Sequence, residues 1–440
     1  MRKKYIIALI SIILCLIFVW TFFLMNRHET VKIKPMEAFN QKEKITFMSS
    51  WGAYDSRAAK IKEIFNRLGE RYAYLEIEDY SIAGSEFLPI LKMDFASGND
   101  PDVFGLWPGS DFQLLVKEEK VADLTELLEA NPTWYKQFKE STWDTVTVDG
   151  RIYGLPIELI YEGLFINRDL FEQYNVKIPT TYEELLVAVD VFKAHDIIPI
   201  AYNQTAEGSY IYQNMVMKLG GKEDVEQPFN EEGRLKSCFK DAMYYMKELY
   251  DLGAFPTNWY SIDDKKRNEL FIEKKAAMIV QGSWLIGDNV LSRFSTSVDI
   301  IPFPDMPNGK ADSTAIIYGC GNGIFHMSKK AWEDEKLRDY CITILKELTA
   351  PENVAILAED AGFISNIELN QYAAEESIMG NKGDALVQQS KELVGAVDWF
   401  INRNIWENIM IKKFSSVLRG TLTPENLCEQ VEDAMAQLQE

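Results

Sequence analysis

The chain has 440 residues, 47% hydrophobic and 12% aromatic, with 46 basic against 67 acidic side chains and a net charge of −21. That much apolar material excludes a largely disordered protein, and the length allows two or three cores rather than one. The acidic surface repels nucleic acid and excludes it as a partner, while naming no ligand by itself.

Arg2, Lys3 and Lys4 precede an unbroken apolar stretch at 5–25, long enough for a helix to cross the hydrocarbon core of a membrane. The basic flank keeps the N-terminus in the cytoplasm and puts the chain beyond residue 26 outside. The stretch ends in large residues, Trp20 to Met25, with no small-residue cleavage site, and Cys15 comes after Leu14 inside it. An uncleaved anchor at 1–25 is therefore expected, with a lipid-anchored or released form as the alternative. Residues 26–44 are polar and of mixed charge and read as a tether. Three histidines (His28, His195, His326) without an HExxH pattern, and Cys238, Cys320, Cys341 and Cys428 set far apart, give no metal spacing. No cofactor or metal is expected, and one disulfide or four buried thiols both remain open.

Residues 45–50 form a short β-prone run, and 57–70 carry Ile61, Ile64, Phe65 and Leu68 at helical spacing. Next come a strand at 74–78, a helix at 85–97 stopped by Gly98-Asn99-Asp100-Pro101, and a strand at 102–107. That alternation predicts a parallel sheet covered by helices. Aromatic-rich helices are predicted near 124–130 and 134–143. Stretch 150–171, GRIYGLPIELIYEGLFINRDLF, joins two apolar runs with Pro156 between them and no hairpin turn, and reads as a crossing between two bodies. Thr180 and Thr181 before Glu183 and Glu184 make overlapping capping boxes for a helix. Strands at 197–202 and 276–280 and a helix at 231–252 make the second body α/β too. A glycine-interrupted strand at 316–325, a helix at 335–349, and a last helix with Thr423 as cap and Pro424 at its first position complete the pattern.

Several segments together resemble the extracellular solute-binding proteins of ABC importers, the carbohydrate-type family that includes the maltose-binding protein. They are MDFASGNDPDVF (93–104), VDGRIYGLPIE (148–158), GLFINRDLFEQY (163–174), IPTTYEEL (178–185), DIIPIAYN (196–203), FIEKKAAMIVQGSW (271–284), GCGNGIFHMSKKA (319–331) and GTLTPENL (420–427). Lys274 stands where the family usually has glycine, and a lipid-attachment cysteine is absent. The resemblance implies an α/β fold of two periplasmic-binding-protein-like lobes joined by hinge strands around a ligand cleft. The lobes would comprise 45–157 with 314–360, and 158–313 with 361–440, crossing near 155–161, 312–318 and 360–365. It implies no enzyme, but a monomer that closes on a carbohydrate and presents it to ABC permease subunits at the extracellular face of the membrane. A receptor for a membrane signalling partner and an extracellular glycosidase using paired carboxylates are the rival readings.

Sugars offer hydroxyls and a weakly apolar ring face, so their sites pair aromatic platforms with carboxylates and amides. Trp284, after the strand at 276–280, is the first platform candidate, although a tryptophan at a strand end is often core. Trp51 and Trp107 end strands at the carboxyl edge where open α/β sheets hold ligands, and Trp399 beside Asp398 is a further aromatic. Glu158 and Tyr161 lie at the crossing, Glu158 as an acceptor for a hydroxyl or else a solvated carboxylate. Asn203 comes directly after a strand and offers donor and acceptor, or serves only as a turn residue.

Overall fold

A computed structural model describes residues 43–438, apart from 53–54, 56, 84–85, 288–295, 360–361, 363 and 374–376. The expected anchor at 1–25 and nearly all of the tether lie outside the described residues, among which no helix is long and apolar enough to cross a membrane.

The first lobe begins with β1 (Glu43–Met48), whose Ile45 and Phe47 are fully buried. Helix Ala58–Arg71 buries the four apolar residues whose spacing predicted it. After β2 (Leu75–Asp79), helix Phe87–Ser97 stops at Gly98, whose φ of 79° is the left-handed turn a glycine adopts freely. Then come β3 (Val103–Gly105) and a hairpin of β4 (Thr147–Val148) and β5 (Arg151–Ile152) around Asp149 and Gly150. β6 (Leu155–Pro156) closes the sheet order β2-β1-β3-β12-β6, where β12 is Ile324–Met327. Pro156 has no N–H for a ladder, and it sits on this terminal strand, where none is needed on the outer side.

Only Ile157 separates β6 from β7 (Glu158–Asn167), so the chain changes lobe at the proline. All ten residues of β7 are buried. It is the centre of a seven-stranded sheet ordered β14-β11-β7-β9-β8, with β10 and β13 also paired to β7. These strands are β8 (Ile198–Ala201), β9 (Ala276–Gly282), β10 (Val298–Ile301), β11 (Ile316–Cys320), β13 (Ile364–Ser365) and β14 (Leu393–Val394). Helices Tyr182–Ala194, Tyr210–Glu226, Ser237–Asp251 and Pro424–Gln437 contribute to the apolar core of this lobe, with Phe192, Met215, Met243 and Val431 fully buried in it. Of the expected capping boxes, one half forms as expected, Thr181 Oγ accepting from the Glu184 N–H, while the Glu184 carboxylate accepts from the Thr180 N–H at 2.9 Å rather than from that of Thr181.

The run expected as one strand at 316–325 is two, one in each sheet. Ile316–Cys320 still pairs with β7, so the second passage falls at Gly321-Asn322-Gly323, beyond the expected 312–318. A Cβ on Gly323 would lie 2.5 Å from that of Glu158, so only glycine lets the chain bend here. After helix Pro351–Ala358, β13 pairs with the start of β7, and Ile367 beyond it is still buried in the core of the first lobe. Cys238, Cys320, Cys341 and Cys428 are buried, unbridged thiols.

Candidate functional site

β7 carries the groups from which the site is built. At its start, Glu158 is 1% exposed and both of its carboxylate oxygens are engaged. One accepts from Arg57 Nη1 at 2.6 Å, the other from the Gly323 N–H at 2.5 Å. Asp55 grips the same guanidinium through two further hydrogen bonds of 2.8 and 2.7 Å. Burial raises the Glu158 pKa despite Arg57. Burial also opposes the charge on Arg57, but the two acids outweigh it and its pKa moves up. Glu158 thus fastens two lobe passages to the start of helix Ala58–Arg71, with each of its oxygens already holding a protein partner.

Four residues on, Glu162 is 2% exposed and accepts one hydrogen bond, 2.7 Å from Asn214 Nδ2. Burial first, and the charge of Asp398 second, push its carboxyl well above the usual carboxylate range, with Asn214 pulling the other way. Asn214 belongs to helix Tyr210–Glu226, and its first residue, Tyr210, meets the Trp284 ring edge-on with centroids 5.7 Å apart. Burial and the charges of Glu207, Glu162 and Asp398 raise the Tyr210 hydroxyl as well. Trp284 folds back over Gly282, where a Cβ would lie 2.0 Å from its ring.

A second group of contacts joins the lobes. Asp398 accepts from Arg403 Nη1 at 2.8 Å, and Glu407 from Arg403 Nε at 2.7 Å. The guanidinium lies 5.6 Å from the centroid of Trp107 in the first lobe, and the Arg403 N–H donates to Ser110 Oγ at 2.8 Å. Trp399 packs against Gly109 of the first lobe and Gly319 of β11.

The structure therefore brings Trp284, Trp107 and Trp399, all half-buried, to the region between the lobes. Other expected residues are taken up by protein partners. Trp51 is 1% exposed, with the Arg57 guanidinium 4.5 Å from its ring centroid and Phe325 edge-on at 5.7 Å. Tyr161 is buried with its hydroxyl where a Cβ on Gly383 would stand. Asn203 is fully buried, donating to the Ile262 carbonyl and Asp264 while accepting from Thr205 and Arg267. Sequence reasoning missed Arg57, Glu162, Tyr210, Asn214 and Arg403. Only Glu162, in the crossing stretch, and Arg403, near Asp398, had a positional signal.

Two α/β lobes that exchange the chain through short passages, with polar and aromatic side chains collected where they meet, define a binding protein of the two-lobe, cleft-closing class. The model of the bacterial extracellular solute-binding protein family matches residues 54–339, and the chain belongs to that family. It is similar to the multiple sugar-binding protein of Streptococcus mutans, 24% identical over 321 residues that cover 70% of this chain and 71% of the relative. A polygalacturonan/rhamnogalacturonan-binding protein of Bacillus subtilis is 27% identical over 204 residues, covering 43% of this chain and 40% of that one. Among solved structures, a protein from work on xylan utilization by the thermophilic bacterium Caldanaerobius polysaccharolyticus shares the fold, with a TM-score of 0.79 at 22% identity. That match covers 89% of this chain and all of the other.

Proposed function

We propose that the protein is a cell-surface receptor that captures a carbohydrate, an oligosaccharide, between its lobes and presents it to an ABC permease. The observation that carries this reading is the Trp284 and Tyr210 ring pair beside the polar Glu162 and Asn214, at the strand that links the lobes. Rings bordering fixed polar groups suit a ligand with an apolar face and many hydroxyls. The names of the similar proteins, sugar-binding and polysaccharide-linked, support it further. Trp107 and Trp399 would flank the ligand at the lobe contact. The receptor works as a monomer, makes and breaks no bond, and is held by its apolar stretch at 5–25.

Calorimetry of the full chain with a panel of oligosaccharides tests this. Replacing Trp284→Ala removes one platform and should weaken sugar binding about tenfold to hundredfold. Equal affinity of variant and wild type would remove Trp284 from the site. Hydrolysis of the bound oligosaccharide on long incubation would replace the receptor reading with an enzymatic one.

A further inference from the structure

Three acids, the buried Glu162 and Asp398 and the half-buried Glu207, meet around Tyr210, and only two of them have a cation. Asp398 is paired with Arg403 at 2.8 Å, and Glu207 with Arg267 at 2.8 Å. Among the described residues no cation pairs with Glu162. Its partner Asn214 spends its Nδ2 protons on Glu162, at 2.7 Å, and on the Tyr210 carbonyl, at 3.0 Å. That leaves Asn214 Oδ1 buried with no hydrogen-bond partner. Across the ladder, Glu162 stands opposite Gly282, which has no side chain to offer it a partner. Folded proteins leave few buried polar atoms unsatisfied. Asn214 Oδ1, beside a carboxyl with no cation, marks a place where a hydrogen-bond donor is missing.

We infer that Glu162 and Asn214 Oδ1 form a docking point for hydroxyl or amide hydrogens of the ligand, and that this point restricts the receptor to non-acidic saccharides. The inference rests on the carbohydrate reading and narrows it. A ligand carboxylate would enter beside Glu162, Asp398 and Glu207, and burial first, then the charges of Asp398 and Glu207, already oppose negative charge on Glu162. The cations nearby give no relief. Arg57 is held by Asp55 and Glu158, and Arg403 by Asp398 and Glu407. A neutral sugar hydroxyl meets the opposite situation, because it supplies a donor to groups that lack one and adds no charge.

The test is calorimetry of the full chain with maltotriose, xylotriose, raffinose and tri-N-acetylchitotriose on one side and trigalacturonate on the other. Binding is expected for at least one neutral probe and absent for trigalacturonate. Glu162→Gln, which keeps the side chain's shape but adds an N–H2 that competes with Asn214, should weaken the neutral probe roughly tenfold to hundredfold. The same substitution should not lower the melting temperature of the ligand-free protein. Tighter binding of trigalacturonate than of every neutral probe overturns this inference and leaves the carbohydrate reading standing. Unchanged affinity of the Glu162→Gln variant also overturns it. Failure of all five probes to bind overturns the carbohydrate reading and this inference together.

Discussion

Arg57 and Glu158 are 101 positions apart, and their contact decides what Glu158 does. The sequence places Glu158 at the crossing through Pro156 and the two apolar runs, and that location is where it lies. Its role was not legible, because a pairing over such a separation is set by how the lobes fold back and leaves no local pattern. The same holds for Trp51, whose place at the end of a strand is plain from sequence but whose ring is covered by Arg57. Removing the cation alone strands a buried carboxylate, which typically costs about 3–5 kcal/mol. Arg57→Leu should therefore lower the unfolding free energy by about that amount in urea denaturation, while Arg57→Leu with Glu158→Leu should recover most of it. Equal losses in the single and double variants would mean that the pair contributes little beyond packing.

Among the elements that the sequence did not announce, helix Tyr210–Glu226 matters most, because it carries two residues of the candidate site. Its residues from Ile211 to Gly221 are all buried, so no apolar stripe alternates with a polar one and the 3.6-residue period that marks a surface helix is missing. Amphipathic helices such as Ala58–Arg71 and Pro424–Gln437 were found from that period and from their caps. Helix Asp264–Ile272 shows a different kind of local signal. The Lys274 N–H bonds the Phe271 carbonyl and the Lys275 N–H bonds the Leu270 carbonyl, a turn that needs a left-handed residue at 274. Lys274 takes it with φ 57°, where glycine would sit without strain. Lys274→Gly should raise stability by about 0.5–1 kcal/mol, since the exposed ion pair with Asp169 that it gives up is worth little. A lower melting temperature for that variant would show the ion pair to be the stronger effect.

For the whole molecule, the first lobe touches the second at Trp107, Gly109 and Ser110, which meet Trp399 and Arg403. These contacts hold the lobes together in the arrangement described, and the hydrogen bond from the Arg403 N–H to Ser110 Oγ is the one most easily removed. One such bond is worth about 0.5–1.5 kcal/mol, so Ser110→Ala should move the open-to-closed balance about two- to tenfold toward open. Small-angle scattering of the unliganded variant should show a larger radius of gyration, and bound sugar should leave faster. An unchanged profile and dissociation rate would mean that this contact does not govern closure. The two-lobe plan was legible because alternating strands and helices and a proline-marked crossing are local signals. The lobe contact was not, since none of its residues is near its partner in sequence. β7 adds a consequence for how such a receptor changes over generations. Successive side chains of a strand point to opposite faces, so inserting a single residue before Glu162 would turn it away from Asn214 and put its neighbours in the wrong cores. New ligand preferences can therefore arise on this strand by exchanging one side chain for another, but not by lengthening it, and lineages that diverge in diet should keep its length while varying its letters.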